Sequence, residues 1–202
     1  MIEKLASKIL KFISAYVPTD EEMNEVYQYG IEITLSTALN IIITMAISLL
    51  LGRPLCGVLF LACISSVRSY CGGYHANSYF GCNCAMAALF LTAYTVGMLA
   101  DYYDFSMPPV EIALLILAFI PLLLFSPVRN VHKELSDRKR KKCRIISFVL
   151  YWLFSSAGVL IYSFDKLYGS IIIVALTEIS AMILIEIIRQ RRTIHEAERN
   201  NG

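Results

Sequence analysis

Apolar positions along the chain first recur at helical spacing and then merge into long unbroken runs. Ile2, Leu5, Ile9, Phe12, Ile13 and Tyr16 fall three or four residues apart, with Lys4, Lys8 and Lys11 on the other side. That pattern predicts an amphipathic helix over 1–17 lying at a membrane interface, the alternative being a solvated helix packed on its own protein. Pro18 ends it, and Thr19-Asp20-Glu21-Glu22 offers a cap with acids in the first turn of a second helix. The runs 33–51, 84–100, 110–126, 145–163 and 170–188 are long enough, or nearly so, to cross about 30 Å of hydrocarbon at about 1.5 Å per residue. A sixth run, 54–67, gives roughly 21 Å of helix before Arg68 and a polar, glycine-containing stretch. It either stops inside the membrane or snorkels Arg68 to the interface. The expected fold class is all-α: one polytopic membrane domain with about six transmembrane helices, the second short, behind an N-terminal interfacial helix.

Composition agrees with the pattern. Of 202 residues 57% are apolar and 17% charged, against about 45–50% and about 25% in soluble domains. Disorder and a disulfide-stapled secreted fold are thereby excluded. The net charge of +2 is too small for a nucleic-acid partner, so the placement of the charges matters more than their sum. The stretch 128–144 carries eight Lys or Arg, the tail after Ile188 four and the N-terminal helix three, whereas the turns 101–109 and 164–169 carry only Lys166. The positive-inside rule puts both termini and the basic loop 128–144 in the cytoplasm and the two acidic, aromatic turns outside. Six spans satisfy that parity and place 68–83 at the cytoplasmic side. The start of the chain interleaves charged and apolar residues, which predicts no cleavable signal peptide. The cysteines at 56, 63, 71, 82, 84 and 143 lack the spacing of a disulfide framework and read mostly as buried thiols.

Candidate chemistry concentrates in RSYCGGYHANSYFGCNC, residues 68–84, where Arg68, Cys71, Gly72, Gly73, His75, Cys82 and Cys84 interrupt an aliphatic chain. Polar groups at membrane depth are costly and usually functional. Three readings compete. One is a Cys82 nucleophile with His75 as base, which requires the groups within about 3–4 Å. A continuous helix would hold them about 10 Å apart along its axis, so the chain must leave helical conformation over 76–81, and the third span must begin near Cys82. The second is a metal site on Cys71, His75, Cys82 and Cys84, whose spacing matches no standard ligand pairing. The third is an ordinary loop between helices with a solvated histidine.

In length, hydropathy and placement of the basic loop, the whole chain resembles the accessory gene regulator B (AgrB) family of quorum-sensing membrane endopeptidases. The pattern Arg68-x4-Gly73-x-His75-x6-Cys82 is similar to that family's signature, and Glu32 falls where the family has an acidic residue. The resemblance implies cleavage of a small precursor peptide on its C-terminal side by a Cys/His pair, followed by closure of a thiolactone or lactone ring. It makes Cys82 the nucleophile and His75 the base, with Arg68, Gly73 and Glu32 in support, and implies no metal and no cofactor. Its partners are the precursor peptide, the lipid bilayer and a second copy in a homodimer. Cys71 and Cys84 stay structural, and His132 and His195 read as solvated. Glu178, eight residues into the last span, is expected to face the bundle interior, as is Asn40 of the first span. The rival reading from another class is a non-enzymatic peptide exporter or membrane scaffold, lined chiefly by Asn40, Thr44, Glu178 and Ser180.

Overall fold

The computed structural model describes residues 2–14, 21–73, 78–104, 108–128 and 136–200. Those residues form seven helices and no strand: α1 Ile2–Ser14, α2 Glu21–Leu50, α3 Pro54–Cys71, α4 Tyr79–Tyr102, α5 Pro108–Phe125, α6 Asp137–Tyr162 and α7 Lys166–Asn200. Met23–Leu50, Pro54–Cys71, Tyr79–Tyr102, Asp137–Tyr162 and Lys166–Thr193 are long and apolar enough to cross a membrane, and Val110–Phe125 is a shorter apolar helix. The all-helical, multi-pass expectation therefore holds. His75, Pro18, Thr19, Asp20 and His132 lie outside the described residues.

Three boundaries differ from the hydropathy pattern, each because helix propensity and solvent preference are different properties. The acid-led helix and the first span are one helix, α2, since nothing between Glu21 and Leu50 breaks it. α3 continues past Val67 to Cys71, about 27 Å in all. It stops where Gly72 takes φ +74°, a conformation open to glycine. The basic stretch 128–144 is not all loop, because α6 begins at Asp137 and its run of Lys and Arg propagates a helix well.

α7 is the centre of the bundle and packs against α3, α4, α5 and α6. Its Ile171, Ile172, Ala175, Leu176, Ile179 and Ile183 are almost wholly buried. α3 buries Cys56, Phe60, Cys63, Ile64, Val67 and Cys71, so three of the six cysteines are buried thiols filling the bundle interior. Cys82 and Cys143 are half-buried and Cys84 is exposed, and all six are free. α5 is held by hydroxyls reaching its carbonyls, Tyr151 donating to Leu115 at 2.5 Å and Ser180 to Ala118, the kind of glue that helices use in a solvent as apolar as their side chains. α1 lies along α2, with Ala6 buried and Ser14 donating to Asn24 at 3.2 Å, while Leu5 and Phe12 stay exposed. It thus packs on its own protein and still offers an apolar face outward.

α2 is inside out. Its buried positions are Glu32, Ser36, Thr44 and Ser48, with Gln28 and Asn40 half-buried on the same line, one every four residues. Ile33, Ile41, Ile42, Leu49 and Leu50 face outward. Such a helix suits a lipid surround: Gln28, Glu32 and Ser36 are hydrogen-bonded within, whereas the Asn40 oxygen and the Thr44 hydroxyl have no partner among the described residues.

The turns sort to opposite ends of the bundle. Asp104, after α4, pairs with Lys166 at the head of α7, and Arg53, between α2 and α3, lies beside Tyr168. At the other end the Val128 amide donates to the Cys71 carbonyl at 3.0 Å, joining the end of α3 to the segment after α5. Glu178 is buried in α7 as expected, near Cys63, and neither of its oxygens has a hydrogen-bond partner among the described residues.

Candidate active site

The site is built where α3 ends and α4 begins. Gly72 and Gly73 both have positive φ, +74° and +144°, so the chain turns sharply out of α3. A Cβ on Gly72 would sit 3.3 Å from the Val128 side chain. The chain re-enters helix at Ser78, an extended N-cap whose hydroxyl accepts from the Gly81 amide at 3.1 Å. Cys82 therefore does not open α4: Tyr79, Phe80 and Gly81 are already helical, and the Cys82 amide donates to the Ser78 carbonyl at 3.0 Å. Helix α3 thus ends at Cys71 and helix α4 starts at Tyr79.

The first turns of α4 are pinned to α2. Tyr79 donates its phenol hydrogen to Glu32 at 2.7 Å, and Gln28 donates to the other carboxylate oxygen at 3.0 Å. One turn on, Ser36 donates to Asn83 at 3.2 Å. Both bridges join positions the same distance apart in sequence, so the helices run parallel in fixed register. Carried one turn further, that register sets Asn40 against Ala87, which has no polar atom; the Asn40 oxygen has no partner among the described residues. Arg68, in the last turn of α3, donates to the Met86 sulfur at 3.6 Å, one turn beyond Cys82 on α4.

Of the residues singled out by sequence, the structure thus brings Glu32, Arg68, Gly73 and Cys82 to one end of the bundle. His75 lies outside the described residues, so its distance to Cys82 is not part of this geometry. Cys82 is half-buried whereas Cys84 is exposed; two residues apart on a helix they diverge by about 200°, which does not suit shared metal ligation. Among the described residues no group of three or more His, Cys, Asp or Glu converges on a point where a metal could sit. Sequence reasoning missed Gln28, Ser36, Tyr79 and Asn83. Their signal is the four-residue interval on each helix, meaningful only once α2 is known to lie on α4.

Comparison with known proteins decides the family, for residues 3–187 match the model of accessory gene regulator B. The chain belongs to the AgrB family. That family is known for processing quorum-sensing peptides. An AgrB-like protein of Clostridium perfringens strain SM101 is 28% identical over 148 residues, covering 70% of this chain and 68% of that protein. An AgrB-like protein of Halalkalibacterium halodurans is 26% identical over 151 residues, 75% of each chain. No solved structure matches the chain.

Proposed function

We propose that this chain is a membrane cysteine endopeptidase that cuts the C-terminal part from a small signal-peptide precursor and promotes ring closure of what remains. The observation that carries the reading is the half-buried Cys82 at the close of the first turn of α4, a helix whose start is pinned to α2 beside the end of α3. Pinning matters because a nucleophile misplaced by about 1 Å loses much of its rate.

In the proposed chemistry the Cys82 sulfur attacks a peptide carbonyl carbon. The C–N bond then breaks, and His75 passes the thiol proton to the departing amine. The product is a thioester between Cys82 and the N-terminal fragment. An internal Cys thiol or Ser hydroxyl of that fragment attacks the same carbonyl, closing a thiolactone or lactone and releasing Cys82 as the thiol. A thioester keeps its acyl-transfer potential until water reaches it, and a partly buried site at a helix junction slows that loss. Arg68 and Glu32 serve as positioning residues at the helix junction. Co-expression with a candidate precursor peptide, followed by mass spectrometry, tests the reading: a covalent adduct on Cys82 and a cyclic product are expected. Full processing by Cys82→Ala overturns it.

A further inference from the structure

A second feature lies where α5, α6 and α7 reach the end of the bundle that carries the basic residues. The three helices leave a cavity of about 330 Å³, lined by Arg140, Lys141, Arg144 and Gln190 and by apolar side chains including Leu124 and Ile187. No carboxylate lines it. Among the described residues the ion pairs are Lys166 with Asp104 and Arg189 with Glu186, so none of its three cations is ion-paired.

Its depth follows from the same helices. Arg144 is the last cation before the apolar run from Ile145, α5 ends at Phe125, and Arg189 follows the apolar stretch of α7. All three helices thus leave the hydrocarbon zone at the level of the cavity. Arg144 is fixed there for a reason local to α5. The Leu123 carbonyl would be served by the amide of residue 127, but Pro127 has none. Arg144 donates to that carbonyl at 2.7 Å instead and lies 5.5 Å from the Phe148 ring centroid. Below the cavity Leu117, Ile120 and Leu124 are exposed on successive turns of α5, an apolar track suited to an acyl chain.

We propose that this cavity binds the phosphate headgroup of an anionic phospholipid, held by Arg140, Lys141 and Arg144, with an acyl chain along that track. A phosphodiester supplies the negative charge that an uncompensated basic pocket at a membrane interface favours. The apolar track distinguishes a lipid from a free anion. A headgroup here rests on the segment Ser126–Val128, whose Val128 amide holds the last carbonyl of α3. The site is separate from the proposed chemistry and stands whether or not Cys82 is a nucleophile.

The test uses the full chain in nanodiscs of phosphatidylcholine and phosphatidylglycerol, extracted into mild detergent and weighed by native mass spectrometry. The pocket variant Arg140→Gln with Lys141→Gln is compared with Lys139→Gln with Lys142→Gln, which removes the same charge from the same helix outside the cavity. Arg144 is left intact because it caps α5, and thermal melts confirm that both variants fold. Wild type and control are expected to retain phosphatidylglycerol, whereas the pocket variant retains about tenfold less. Equal loss in both variants, or loss in neither, overturns the site. Saturation by inorganic phosphate with no lipid retained assigns it to a free anion and overturns the lipid. Binding of an acidic peptide in purely zwitterionic nanodiscs, abolished by the pocket variant, assigns it to a peptide and overturns it equally.

Discussion

Cys82 and Cys84 are two atoms of sulfur on one helix, and the helix gives them different surroundings. Cys82 is half-buried beside the break, and Cys84 faces outward. Under the proposed mechanism Cys82→Ala abolishes precursor cleavage, while Cys84→Ala leaves most of it, both read by mass spectrometry of the co-expressed peptide; reversed effects would mean the nucleophile is misassigned. Tyr79 yields a sharper expectation. Tyr79→Phe takes from the Glu32 carboxylate a hydrogen bond worth about 1.5–3 kcal/mol, and Glu32→Gln weakens the same bond from the other side. Thermal melts in detergent should show the double variant little worse than the worse single one, whereas additive losses would mean the two groups act independently. Glu32 was singled out in the sequence only because it falls where the AgrB family has an acidic residue. Tyr79 and Asn83 were not, because a tyrosine or asparagine near a helix start reads as interfacial until its register against another helix is known.

At the scale of the element, the chain's turns carry information that hydropathy lacks. A window average reports which solvent a segment prefers, so it ended the second span at Arg68, whereas the backbone ends α3 only at a residue able to adopt φ +74°. Gly72→Ala should therefore lower the melting temperature by an amount equivalent to about 1–3 kcal/mol, from strain and from crowding on Val128. Gly169→Ala should be worse, since a Cβ there would lie 2.4 Å from the Tyr162 backbone and force α6 and α7 apart. No loss in either case would show that the turns relax freely. The Asp104–Lys166 pair gives a pH expectation. The Lys166 hydrogen bond, and then its charge, hold the Asp104 carboxyl below its ordinary value of 3.8. A depressed carboxylate contributes stability above that ordinary value and loses it as pH falls through the folded one. Any contribution is thus full at neutrality and lost only in acid, and Asp104→Asn should flatten that acid-side change in a pH series of melts. Asp104 is exposed, so the effect is small.

For the whole molecule, the fold class followed from the apolar runs because nothing but a bilayer accommodates so many of them. The arrangement of helices did not follow, since α7 owes its central place to packing that no single run displays. The sorting of turns to opposite ends is compatible with six spans, and the positive-inside rule predicts that the end carrying the basic residues is the cytoplasmic one. A reporter fused after Gly202 should read as internal and one inserted between α4 and α5 as external; the opposite result would invert the topology. The inside-out α2 bears on how sequences of this kind change over time. In a water-soluble protein the shell tolerates nearly any polar substitution and the interior very few. Here Ile42, facing lipid, can exchange with Leu, Val or Phe at little cost but not with Lys, at about 3 kcal/mol near a helix centre. Thr44 is fully buried, so a larger side chain there would have to displace its surroundings. The lipid-facing shell is thus free to drift in letter while fixed in character.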